Sequence, residues 1–131
     1  MLYIVRGVSG AGKSTFAATL AAGLNCPHWE NDMFLYVDGE YCWSAKEARK
    51  ARQKCFAAVA DALAAGDCVV SNVFAGEGSF KPYISLAKSL GHDYTCSRIE
   101  NRHGGENGHN VPVSHLKSMA ENFQVKLIKE K

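Results

Sequence analysis

The chain has 131 residues, 47% of them apolar and 21% charged, and a formal net charge of +2. That is one domain's length of chain, too apolar for a disordered tail and long enough to bury a core. The near-neutral balance excludes any argument from overall charge for a nucleic-acid coat protein, and leaves room only for a local basic patch.

The predicted elements alternate between strand and helix. Residues 2–5, Leu-Tyr-Ile-Val, read as a short strand that runs into glycines opening a helix. That helix is expected over 13–24, with Phe16, Ala17, Leu20 and Leu24 on its apolar face, and Asn25 and Pro27 stop it. A brief strand over 28–30 leads into a polar stretch holding Asp32, Asp38 and Glu40. Ser44 and Glu47 have the spacing of a capping box. They open a long helix over 45–65 whose stripe is Ala48, Cys55, Val59 and Leu63, closed by Gly66. Residues 68–73 read as a buried strand, and Ser79 caps a third helix over about 80–90 that ends at Gly91. A strand over 94–99 follows, then a Gly- and Asn-rich loop over 100–110. Pro112 opens a helix to about 123, and 125–128 form a final edge strand. There is no internal repeat and no linker, so 1–131 is expected to be a single domain. The alternation implies a parallel sheet covered by helices.

The five cysteines (Cys26, Cys42, Cys55, Cys68, Cys96) include no C-x-x-C pair, which points away from disulfides and zinc and toward a reducing compartment, the cytoplasm. Asp61 and Gly66 interrupt the Ala-rich stretch, so no membrane span is expected. The first strand leads straight into a motif, and no signal peptide is expected either.

Gly7, Val8, Ser9, Gly10, Ala11, Gly12, Lys13 and Ser14 match G-x-x-x-x-G-K-[ST] in full, between a predicted strand and a predicted helix. Glycines let backbone N–H groups curl around phosphate oxygens, and the following helix N-terminus adds partial positive charge. Lys13 reaches the β- and γ-phosphates, the Ser14 hydroxyl ligates Mg²⁺, and Thr15 adds a bond to the α-phosphate. A chain of this length matches by accident roughly 1% of the time, before the strand and helix are required. The expected ligands are therefore ATP and Mg²⁺, with GTP not distinguished.

Asp32 follows the second strand and so emerges at the carboxyl edge of a parallel sheet, beside the phosphate loop. A carboxylate there takes a proton from an attacking hydroxyl or holds a magnesium-bound water; the plain alternative is a solvated loop aspartate. Asn72 ends the third strand, where many phosphate-loop proteins carry an aspartate, and its amide can hold a water without supplying charge. Residues 46–54 carry five basic side chains, Arg49 and Lys50 among them, against the single acid Glu47. This stretch is either a solvated helix face or a track for a phosphate backbone. Arg102 and His103 begin a polar, Gly-rich loop of the kind that forms a lid. His103, His109 and His115 have no recognised metal-ligand spacing.

On these residues the chain resembles the small P-loop kinases related to polynucleotide 5′-hydroxyl kinase, in particular the short ATP-binding proteins of bacteria and phages. The likeness runs through the loop at 7–15, Glu30-Asn31-Asp32-Met33-Phe34, Val70-Ser71-Asn72, Lys81-Pro82-Tyr83, and His109-Asn110-Val111-Pro112. It implies a three-layer α/β P-loop NTPase fold, a five-stranded parallel sheet in the kinase-type order 2-3-1-4-5 with helices on both faces. It also implies that Asp32 is a general base and that Arg102 closes over the γ-phosphate. Asn72 stands where relatives have an aspartate, Met33 where they have a second acid, Val73 and Ser79 where threonine and glutamate are frequent, and the lid region offers only Arg102, with Arg98 just before it.

The expected function is ATP- and Mg²⁺-dependent transfer of the γ-phosphoryl group to a hydroxyl. The leading acceptor is a single-stranded nucleic-acid 5′ end, steered by Arg49 and Lys50; a nucleoside or other small alcohol is next. The competing expectation, favoured by Asn72 and the arginine-poor lid, is an ATP-binding regulatory module with little turnover. Oligomeric state is not legible.

Overall fold

The computed structural model describes residues 1–100. Four strands form one parallel sheet in the order β2-β5-β1-β6: β2 is His28–Trp29, β5 Cys68–Asn72, β1 Leu2–Arg6 and β6 Tyr94–Arg98. In the chain order used for the expected topology these are strands 2, 3, 1 and 4. The expected fifth strand, over 125–128, lies outside the described residues, as does the helix opened by Pro112. The register is continuous, from Leu2 opposite Cys68 and Tyr94 to Arg6 opposite Asn72 and Arg98.

Helices cover both faces because the central strands are apolar on both sides. Leu2, Ile4, Cys68 and Val70 face α2 (Ala45–Ala65) and α3 (Glu77–Ser89), where they pack with Cys55, Val59, Leu63, Phe80 and Tyr83. Val5 and Val69 point the other way, onto Ala17 and Ala21 of α1 (Lys13–Leu24). α2 forms over the expected range, and the Ser44 hydroxyl accepts from the Glu47 N–H at 3.1 Å. Its buried stripe is Ala51, Cys55, Val59 and Leu63, at steady four-residue steps, so Ala51 takes the place expected of Ala48, which is only half-buried.

Three further expectations are corrected. Phe16 and Leu24 do not belong to the buried face of α1; both are exposed, and the helix meets the sheet through alanines. A small-residue face lets the helix approach the sheet closely, so the large apolar side chains fall beside the contact. α3 starts at Glu77, capped by Gly76, so Ser79 lies inside its first turn, where its hydroxyl donates to the Gly76 carbonyl. The polar stretch after β2 is not a plain loop. It holds a 3-10 helix (Asn31–Phe34) and a two-stranded hairpin of β3 (Tyr36–Val37) and β4 (Glu40–Tyr41). Asp38 and Gly39 turn this hairpin with φ of 51° and 82°, as a type I′ turn requires.

Candidate active site

Every expected site residue within the described part, apart from Arg49 and Lys50, lies at or just beyond the carboxyl ends of the strands. β1 leads into the glycine-rich loop, which is braced on both sides. The Gly7 N–H donates to the Val73 carbonyl at 3.3 Å, and the Ile99 N–H donates to the Arg6 carbonyl at 2.8 Å. A Cβ on Gly7 would stand 2.7 Å from the Ile99 oxygen, so no larger residue fits there unchanged. Gly12 caps α1 with φ 86°, a left-handed conformation that side chains rarely adopt. Its carbonyl accepts from the Phe16 N–H at 3.1 Å, and α1 contributes no acidic residue to its own first turn. The helix N-terminus thus faces the loop with its positive end uncompensated from within the helix.

Lys13 opens α1. Burial lowers its pKa, and the charges of Glu30 and Asp32 pull it back up. The lysine therefore lies within electrostatic reach of both carboxylates.

Glu30 was not singled out from the sequence, yet it joins the phosphate-loop helix to β5. Its Oε2 accepts from the Ser14 hydroxyl at 2.8 Å and from the Ser71 hydroxyl at 2.9 Å. Ser71, fully buried on β5, is in turn 2.7 Å from His28 Nε2. Since the single Ser71 proton goes to Glu30, His28 must present an Nε2–H donor to Ser71. Burial lowers the His28 pKa, with Glu30 opposing. The only signals that mark Glu30 are the register that sets His28 and Trp29 beside Val69 and Val70 and its place directly after β2.

Asp32 lies in the 3-10 helix, against which α2 packs. The Tyr41 hydroxyl donates to its Oδ1 at 3.4 Å, and Tyr41 meets Tyr36 edge to face with ring centroids 5.6 Å apart. Both tyrosines are exposed, as is Trp43 at 66%. Asn72, by contrast, faces inward. Its Oδ1 accepts from the Asn31 N–H at 2.8 Å, and its amide interacts with the Cys55 thiol. Arg49 and Lys50 are exposed on the early turns of α2, with Lys50 Nζ 3.6 Å from Glu47 Oε1. Arg102 lies outside the described residues. Among those residues no group of three or more His, Cys, Asp or Glu side chains forms a metal cluster, and no helix is long and apolar enough to cross a membrane.

A parallel sheet with the phosphate-loop strand inside it, in this strand order and with helices on both faces, is the P-loop NTPase fold of the kinase type. Solved structures of that fold match closely. Kti12 of Chaetomium thermophilum, in complex with ADP-AlF3, superposes with a TM-score of 0.69 at 17% identity, covering 95% of this chain and 81% of that one. A gluconokinase from Sinorhizobium meliloti gives 0.59 at 22% identity, over 94% and 74%. A chain of the Pnkp1/Rnl/Hen1 RNA repair complex gives 0.60 at 19% identity, over 97% of this chain and 39% of that one. In sequence, the chain is 34% identical over 115 residues to an uncharacterized protein of Pasteurella multocida. The match takes in 76% of this chain and 64% of that protein's length. No protein-family model matches.

Proposed function

We propose that this chain is a nucleotide-dependent phosphotransferase that moves the γ-phosphoryl group of ATP to a hydroxyl acceptor. The observation that carries this reading is the complete phosphate loop, braced between β5 and β6, with Lys13 and Asp32 brought to the same sheet edge. The kinase-type fold of the neighbours supports it, as does the nucleotide analogue bound to one of them.

The donor set fits a nucleotide with its divalent cation. Gly10 and Gly12 hold φ of 81° and 86°, a Cβ at Gly12 would meet nothing within 4 Å, and the Ser14 hydroxyl stands beside a carboxylate. Backbone N–H groups of 7–14, with Thr15, hold the phosphates. Lys13 places its ammonium against the β- and γ-oxygens, where negative charge shifts during transfer. Ser14 is the side chain that would ligate Mg²⁺, with Asp32 a further position proposed from sequence. The cation these residues would hold would supply neutralisation of phosphate charge. Asp32 takes the proton of the acceptor hydroxyl as its oxygen bonds to Pγ and the bond from Pγ to the bridging oxygen breaks, releasing ADP. Arg102 is proposed to close over the γ-phosphate.

The leading acceptor is a single-stranded nucleic-acid 5′-hydroxyl. Two observations support it over a small alcohol. The exposed bases of α2 follow the Asp32 segment that α2 packs against, and the exposed aromatics of the hairpin reach Asp32 through Tyr41. Basic tracks with aromatic faces bind single strands by charge and stacking. A transfer screen with labelled ATP against 5′-hydroxyl DNA, RNA, nucleosides and sugars tests the reading. Label on oligonucleotide ends is expected. Label on small alcohols alone replaces the acceptor, and ATP bound without any transfer replaces the enzyme with a binding module.

A further inference from the structure

We infer that Glu30 supplies the negative charge that holds the nucleotide's divalent cation beside Ser14, and that Asn72 is a positioning residue which fixes the Glu30–Asp32 backbone. The inference rests on the nucleotide-binding reading above and divides between two residues a role that sequence position alone would give to residue 72.

The side chain at 72 is turned away from that role. Asn72 is buried, at 8% exposure, and its Oδ1 is taken by the Asn31 N–H at 2.8 Å. Its Nδ2 has no oxygen or nitrogen partner and interacts only with the Cys55 thiol among the described residues. An amide used in this way ties the backbone of residue 31, between Glu30 and Asp32, to the end of β5. Its oxygen is committed to that backbone N–H, and the side chain brings no negative charge to a cation.

Glu30 meets the complementary description. Its Oε2 accepts directly from Ser14, the loop hydroxyl expected to ligate the cation. A carboxylate in hydrogen-bond contact with that hydroxyl would add its charge beside a cation that the hydroxyl held. Ser71 holds the same oxygen from the other side, and His28 holds Ser71, so the carboxylate is fixed before any ligand arrives. Its Oε1 takes no hydrogen bond among the described residues. Partners that orient a ligand in this way tune metal affinity by about 10–100-fold.

The test is a titration of a fluorescent ATP analogue across Mg²⁺ concentrations and in EDTA, on the full chain. Glu30→Gln is expected to raise the half-saturating Mg²⁺ concentration by at least about tenfold. In EDTA the same variant should bind the nucleotide as tightly as wild type or more tightly, since a charge that repels phosphate is gone. Asn72→Ala is expected to move the Mg²⁺ requirement by less than about threefold, a small shift against that range, and to lower the thermal midpoint instead. Glu30→Asp retains the charge and serves if the glutamine variant fails to fold; it should stay within about tenfold of wild type, the lower end of that range. A Glu30→Gln protein with the wild-type Mg²⁺ requirement overturns the inference. So does one that binds equally weakly in Mg²⁺ and EDTA, or an Asn72→Ala protein that loses the requirement. Wild type that binds nucleotide equally well with and without Mg²⁺ overturns this inference alone. Wild type that binds no nucleotide overturns the parent reading as well.

Discussion

The Arg6 guanidinium donates from Nε to the Phe74 carbonyl at 3.0 Å, and Phe74 holds a left-handed φ of 47°. A second bond runs from Nη2 to the Ala75 carbonyl at 2.9 Å, and the guanidinium lies 4.8 Å from the Phe80 ring centroid. The last residue of the strand that feeds the phosphate loop therefore braces the strained turn that leaves β5. Arg6→Met keeps the stem and removes the donors, leaving two carbonyls to find new partners. The expected loss is about 2–4 kcal/mol, since hydrogen bonds from buried charged groups are of the strong class. Urea unfolding measures it. Arg49→Met, on an exposed face, should change stability by less than about 0.5 kcal/mol.

Lys13→Ala is expected to weaken ATP binding by about 2–4 kcal/mol, the cost of losing a charge-assisted contact to phosphate. Isothermal titration of both proteins reads the difference. Equal affinities would remove the loop from nucleotide binding.

Asp32→Asn keeps the shape of the side chain and removes the proton acceptor. Nucleotide affinity should hold while transfer slows by about 10²–10⁴-fold, the usual range for general acid–base catalysis. Single-turnover transfer under saturating nucleotide is the measurement. Transfer at the wild-type rate would put the base elsewhere.

The basic turns of α2 make a separate claim. Binding of a 5′-hydroxyl single strand should weaken with salt, with a slope of about −0.7 per phosphate contacted. Replacing Arg49 and Lys50 together with Ala should reduce that slope by about one to two units if both touch phosphates. Anisotropy across a salt series reads the slope. An unchanged slope leaves this stretch a solvated helix face.

Burial pushes the Cys68 thiol up to about 12, and burial also raises Cys55. The folded state therefore favours the protonated thiols more than the unfolded chain does, whose cysteines titrate at about 8.5. Their contribution is complete below that value and is lost as pH climbs from there toward about 12. Stability should fall above pH about 8.5, by at most about 1.4 kcal/mol per pH unit for each thiol. Denaturant midpoints at several alkaline pH values, compared with Cys68→Ala, test the sign. With a thiol reagent at about pH 8, below the ordinary thiol value, Cys55 and Cys68 should label only on unfolding.

The parts of this fold legible in the sequence are those where a local rule and the packing agree. Ser44 with Glu47 and Gly66 bracket α2, and the unbroken run from Cys68 to Ser71 marks a strand buried on both faces. The face of α1 was illegible because side-chain size favours Phe16 and Leu24, whereas close approach to Val5 and Val69 selects Ala17 and Ala21. The hairpin carried a genuine signal in Asp38-Gly39. Strands of two residues are too short to show the alternation that would have made that pair decisive. Asp32 was a candidate because an acid just past a strand end is a local pattern. Glu30 fits the same local pattern equally well, and what sets it apart is contact with Ser14, 16 positions away, and with Ser71, 41 positions away. No local spacing encodes those distances.

The double bracing of the glycine loop also bears on how fast a ligand is captured. With Gly7 tied to Val73 and Ile99 tied to Arg6, the entry to the phosphate loop is held in place without a ligand. A nucleotide then meets a loop whose base needs no ordering on collision. Capture should follow the frequency of collisions, as it does where no rearrangement precedes docking. Differences in affinity among nucleotides should accordingly be written in how long each one stays.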